Sequence, residues 1–175
     1  IHATDLYRPH GDPDDHWDLA CLFALAYNEN IDLKGIIIDF PPNENYAPDI
    51  SAISQLNFIT GLSVPGIVGS PFNEKSRKYS EPYASSINNN CINSIHNILR
   101  ASSSPVVINI VGSSYDIAIA GSKDPELFAQ KCAGIYLNAR TGLQDKKQDS
   151  KLEYNVSLNP KAYSDIFKLP CPIYW

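Results

Sequence analysis

Apolar runs alternate with longer stretches of helical periodicity along the chain. Short runs rich in Ile and Val, flanked by breakers, predict strands at 33–38 (LKGIII), 66–68, 106–111 (VVINIV), 134–137 (GIYL) and 173–175, and residues 2–5 close a first strand. Between them, 17–28 places Leu19, Leu22, Phe23 and Ala26 on one face of a helix. Further helices are expected at 47–60 and at 84–100, the latter with Ile87, Cys91, Ile95 and Ile98 in register. Shorter ones fall at 114–120, 125–130 and 161–167, the last after Pro160, a favourable first-turn residue. Strands alternating with helices predict an α/β fold with a mostly parallel sheet covered by helices on both faces. No internal repeat or linker is expected, and the polar stretch 141–151 reads as a loop.

Such sheets bind ligands at the carboxyl ends of their strands. Three polar clusters fall at those ends: 5–18 after the first strand, 112–116 after VVINIV, and 138–155 after GIYL. The fold would bring them to one rim.

Composition narrows the function. With 175 residues there is room for one domain, and 43% apolar and 19% charged residues are ordinary for a globular chain. The net charge is −5 and Lys146-Lys147 is an isolated basic pair, so neither nucleic acid nor an anionic membrane is expected as the main partner. No apolar run has the length of a membrane span. Cys21, Cys91, Cys132 and Cys171 form no C-x-x-C pair and no zinc spacing, and read as buried free thiols. The chain contains no Met and begins at Ile1, so a natural start is expected to be missing. Asn155-Val156-Ser157 fits a glycosylation sequon, a short match that chance often produces. Nothing fixes the compartment; a cytoplasmic location is the expectation over export. A homo-oligomer is left open.

The chemistry concentrates in Asp12, Asp14, Asp15 and Asp18, just ahead of an apolar helix. One carboxylate there would be a cap, favoured by free N–H groups and the helix dipole. Three within four residues exceed what capping needs, and they repel one another unless something neutralises them. A hard divalent cation does so with oxygen ligands, which favours Ca²⁺ or Mg²⁺ over zinc. The alternative is a capped helix with a solvated acidic turn. Asp18 reads as a surface residue of the first turn, and His10 and His16 as solvated neighbours or base contacts.

The run Thr4-Asp5, six residues, Asp12-Pro13-Asp14-Asp15 resembles the nucleoside hydrolase signature D-x-D-P-x-x-D-D. It is closer to bacterial nucleoside-hydrolase-like proteins with G-D-P-D-D, here Gly11 to Asp15. Two further segments resemble the family in the same order: 111–118 (VGSSYDIA) its T-G-P-L-T-N-L-A turn, and 153–162 (EYNVSLNPKA) its E-F-N-I-Y-x-D-P-E-A segment. The resemblance implies a Rossmann-like fold and, in the inosine/uridine-preferring type, Ca²⁺-dependent cleavage of the bond between ribose and a nucleobase. It implies Asp15 as bidentate metal ligand and Asp14 as the carboxylate meeting the ribose hydroxyls. Asp5 and Asp12 compete for the place of the Asp that is both ligand and general base, with Asp5 favoured by its register at the strand end. Tyr115 takes the place of a Thr whose backbone carbonyl binds the metal. Glu153 and Asn155 match ribose-binding residues, against the alternative of a polar strand end.

The sequence also departs from the family. Leu137-Asn138-Ala139 replaces M-G-G, leaving Asn138 as a substrate-side candidate, and Asp39 to Asn43 replaces a loop with a ribose-contacting Asn, a role Asn43 could take. The family's late metal-ligating Asp has no counterpart. The resemblance therefore implies that 1–175 is the N-terminal part of a single domain and is inactive alone. Two other readings stay open: a non-catalytic sugar- or nucleoside-binding module on the same fold, and a hydrolase of another pentosyl or carbohydrate substrate. An aspartyl phosphotransferase is disfavoured, because Asp5-Leu6-Tyr7 lacks a second Asp two residues on.

Overall fold

A computed structural model describes residues 1–6, 13–39, 41, 49–71, 88–139 and 152–175. Asp12, Asn43, His10, Ile87, the starts of the expected helices at 47 and 84, and the whole of the expected loop 141–151 lie outside these residues.

Among the described residues six strands form one parallel sheet: β1 (His2–Thr4), β2 (Ile36–Ile38), β3 (Gly66–Val68), β4 (Val106–Ile110), β5 (Cys132–Leu137) and β6 (Ile173–Tyr174). Their spatial order is β3-β2-β1-β4-β5-β6. The chain winds outward from β1 to β3, crosses back, and continues from β4, so the direction reverses between β1 and β4. That boundary is the topological switch point, where open α/β sheets form a crevice.

Local chemistry sets the helix ends. Helix α1 (Asp14–Tyr27) begins three residues before the expected Trp17, because Asp14 and Asp15 are good first-turn residues and Asp14 Oδ1 accepts from the Asp15 N–H at 3.0 Å. Helix α2 (Ile50–Thr60) ends at Gly61, whose φ of 71° is the left-handed cap that glycine adopts without strain. Helix α3 (Asn89–Ala101) is capped by Asn88, whose side chain accepts from the N–H groups of Asn90 and Cys91. Helices α4 (Tyr115–Lys123) and α5 (Pro125–Lys131) follow β4, with Asp124 capping α5. Asn159 caps α7 (Pro160–Ile166), with Pro160 in its first turn as expected. Helix α6 (Tyr154–Leu158) has no counterpart in the sequence reading, which allowed a polar strand end there. Glu153 decides it by capping the helix with both carboxylate oxygens.

Two cores flank the sheet. On one face α3, α4, α5 and α7 bury Ile95, Leu99, Ile117, Phe128 and Ile166 against Ile37, Ile108, Ile110 and Ile135. On the other, Leu19 and Phe23 of α1 and Ile53 of α2 cover Ile36 and Ile38. Leu22 and Ala26, expected on the buried face of α1, are half-buried. The same face of β4–β6 is open: Val107, Tyr136 and Tyr174 are 48%, 47% and 48% exposed, and the two tyrosine rings stack at 4.6 Å. Helices thus lie on both faces, but one face is only half covered. All four cysteines are free, and the expectation that all are buried holds for Cys91 and Cys132; Cys171 is half-buried and Cys21 faces solvent from α1. No helix among the described residues is long and apolar enough to cross a membrane.

Candidate functional site at the carboxyl rim

The rim at the strand carboxyl ends gathers the acidic and amide side chains. Asp15, on the first turn of α1, is buried against the end of β1. Its Oδ2 accepts from the Thr4 hydroxyl at 2.8 Å and from the Asp5 N–H at 3.0 Å. Two donors on one oxygen fix the carboxylate at the switch point. His2 lies two residues back on the same strand face, and burial lowers its pKa to about 4, which the Asp15 charge only partly opposes. The imidazole is therefore neutral at pH 7 and does not offset Asp15.

Asp14 is exposed and Asp5 is buried beside Asp15. Asp18 is exposed, and its carboxyl is raised above the ordinary value by partial burial and then by Asp15 and Asp14. The two neighbouring carboxylates add to the rise that burial begins. Among the described residues no Lys or Arg ion-pairs with Asp14, Asp15 or Asp18. The donor chemistry, carboxylate oxygen with no thiol, fits a hard divalent cation. The described residues give only part of a ligand set, because no three Asp, Glu, His or Cys side chains among them converge at metal-binding distance.

Next to this turn stands a network that sequence reading missed. Two strands end in the same four residues, Ile67-Val68-Gly69-Ser70 after β3 and Ile110-Val111-Gly112-Ser113 after β4. Each Gly-Ser pair receives a buried carboxylate from elsewhere. Asp116, on the first turn of α4, accepts from the Ser70 N–H at 3.0 Å and the Ser70 hydroxyl at 2.5 Å. Asp39, directly after β2, accepts from the Ser113 N–H. The glycines make room: a Cβ on Gly69 would sit 2.6 Å from Asp116 Oδ2, and one on Gly112 would meet Asp39 Oδ2. Asn88 closes the network, its N–H donating to Ser70 Oγ at 2.8 Å and its amide to the Val68 carbonyl at 2.9 Å. Full burial raises the Asp116 pKa, and the two Ser70 bonds oppose that rise. The available signal was the repeated IVGS at two strand ends, together with an Asp directly after a third strand.

The remaining sequence-predicted residues fall on the same rim. Tyr115 opens α4; its ring is buried and its N–H donates to Ser113 Oγ at 3.1 Å. Asn155 bridges two strand ends, its amide donating to the Val111 carbonyl at 2.8 Å and the Asn138 carbonyl at 3.2 Å. Asn138 itself is exposed just past β5. Glu153 spends both oxygens on the α6 cap, accepting from Asn155 at 2.9 Å and Val156 at 3.1 Å. Asp5, Asp14, Asp15, Tyr115, Asn138, Glu153 and Asn155 thus all sit at the carboxyl ends of β1, β4 and β5 or on the helices that follow.

No protein-family model matches the chain, and no curated protein sequence matches it. Solved structures do. The inosine-uridine preferring nucleoside hydrolase from Bacillus anthracis superposes with a TM-score of 0.64 at 18% identity, over 98% of this chain and 62% of that one. The type III effector protein XopQ, crystallised in complex with adenosine diphosphate ribose, gives a TM-score of 0.71 at 14% identity, over 98% of this chain and 54% of the effector. The chain therefore spans less than two thirds of the length of either. Identities this low speak to architecture and not to chemistry, and the architecture they establish is the nucleoside hydrolase fold.

Proposed function

We propose that this chain carries the metal- and ribose-binding rim of an N-glycoside hydrolase acting on ribonucleosides. The observation that carries the reading is Asp15, a buried carboxylate pinned by Thr4 and Asp5 at the switch point of a nucleoside hydrolase fold. Asp15 and Asp14, with Asp5 or Asp12 and the Tyr115 carbonyl, would hold Ca²⁺. When bound, the ion would neutralise the acidic turn and orient a water and the sugar diol.

The chain's own groups account for the rest. Cleavage passes through an oxocarbenium-like state, which anionic side chains on the sugar side stabilise. Asp5 or Asp12 takes the proton of the attacking water. Asp14 is exposed and free to accept from ribose hydroxyls. Asn155 has both amide hydrogens directed at strand-end carbonyls, so its carbonyl oxygen is the atom left to read a hydroxyl. Asn138 and Asn43 complete the substrate side in this reading, with Glu153 holding the α6 segment in place.

The test is release of reducing sugar from inosine and uridine by the full-length protein, with and without a chelator. Chelator-sensitive release that falls at least 10²-fold in Asp15→Asn is expected, on the order of the loss from a misplaced reacting group (~10²-fold). Release that ignores both chelator and substitution would overturn the proposal. A second reading has its own support: Glu153 is committed to a helix cap, and the effector of the same fold was crystallised with adenosine diphosphate ribose. A binding module of that kind would show calorimetric binding of a ribosylated nucleotide with no sugar released.

A further inference from the structure

We propose that Cys132 and Cys171 form a dithiol that oxidises to a disulfide, locking the edge strand β6 onto β5 and closing the loop that carries Glu153 and Asn155. The geometry starts from strand register. Ile135 pairs with Ile173 and the Ile135 N–H donates to the Pro172 carbonyl at 2.9 Å, so this register, continued, brings Cys171 level with Ala133, and the register shift at the start of β5 leaves Cys132 on the core side. Parallel neighbours lie ~4.8 Å apart and one residue adds ~3.3 Å along the strand. The resulting diagonal of about 6 Å lies inside the Cα separation that a disulfide spans. Both side chains lie on the same side of the sheet: Cys132 belongs to the larger of the two cores, and Cys171 packs against that core.

The two sulfhydryls are also unequal, as thiol–disulfide exchange requires. The neighbouring Cys171 thiol, with burial, raises the Cys132 thiol far above its ordinary value, and the same neighbour lowers Cys171. Cys171 is half-buried and reachable, whereas Cys132 is buried. With a low-molecular-weight disulfide as oxidant, the Cys171 thiolate attacks one sulfur, forms a mixed disulfide and expels one thiol. Cys132 then loses its proton to solvent, attacks Cys171 Sγ and expels the second thiol. Two protein thiols and one small disulfide become one protein disulfide and two small thiols.

Oxidised glutathione added to the full chain, followed by mass mapping, tests this. The expected product is a Cys132–Cys171 linked peptide, with Cys91 and Cys21 outside it. Closing a roughly 40-residue loop should raise Tm by on the order of 10 °C. Amide exchange between the two cysteines should slow. Cys171→Ser should abolish the link and the Tm rise, and Cys132→Ala should stop the reaction at the mixed disulfide on Cys171. Two results would overturn the proposal: a stable mixed disulfide on Cys171 in the wild-type chain, or linkage of either cysteine to Cys21 or Cys91 instead.

Discussion

The two halves of the sheet obey different rules. Strands β1–β3 are covered on both faces, by α1 and α2 on one side and by α3 on the other. Strands β4–β6 are covered on one face, and the other shows Val107, Tyr136 and Tyr174 to solvent. The sequence treats the halves alike: Ile36–Ile38 and Val106–Ile110 read as the same kind of buried strand. Among the described residues α1 and α2 are the helices on that face, and they sit over the first half. The rim divides along the same line. The acidic turn and the Asp39 and Asp116 carboxylates surround β1, β2, β3 and the end of β4, while amides from Asn138 and Asn155 occupy the ends of β4 and β5. Charge is concentrated where the backbone is best buried, and low dielectric makes each fixed carboxylate count for more there.

The sharpest way to break this comparison is to empty matched positions on the two halves. Phe23→Ala removes a fully buried ring from between α1 and the sheet. It should cost roughly 3–5 kcal/mol in denaturant unfolding. Tyr174→Ala, on the open face, should cost about 1 kcal/mol, mostly its stacking with Tyr136. Equal costs would mean that the open face is buried in solution.

Next in size is Gly112→Ala. The new methyl would collide with the Asp39 carboxylate, which would have to leave the Ser113 N–H. Overpacking of this kind costs roughly 1–3 kcal/mol. Cation affinity at the acidic turn should change little, which calorimetry with Ca²⁺ would show; a large change would join the two carboxylate systems into one.

Asn155→Ala probes the amide side of the rim. Two donors to strand-end carbonyls are lost, at ~0.5–1.5 kcal/mol each, so about 1–3 kcal/mol of stability should go with the ribose contact. Asn155→Asp keeps the shape but loses the donors, and it should show a similar loss. If thermal unfolding is unchanged in both, Asn155 serves ligand alone.

The smallest effect is a slope with pH. Asp116 has a folded-state pKa raised by burial, so the folded chain holds its proton more tightly than the unfolded chain does. Its contribution to stability is fully present below the ordinary carboxylate pKa and is lost as pH rises through the folded-state value. Asp116→Asn should remove that part of the slope, and pH-dependent unfolding of the two chains would display it. Identical slopes would mean that Asp116 stays ionised in the fold.

Much of this was legible before any coordinates. Apolar runs of Ile and Val separated by helical periodicity pointed to an α/β chain with parallel strands, because strands packed under crossover helices read as near-continuous apolar runs. Asp14 and Asp15 ahead of an apolar helix determined a charged helix start at the first strand end, because capping and the dipole act within one turn. Tertiary structure decided what depends on neighbours distant in sequence. Glu153 became a helix cap and Asn155 a brace between strand ends. The two IVGS turns acquired meaning only when Asp116 and Asp39, 46 and 74 positions from their serine partners, arrived against them. Which half of the sheet lies bare was likewise decided there, because a strand's pattern records that a face wants cover and not which helix lies over it.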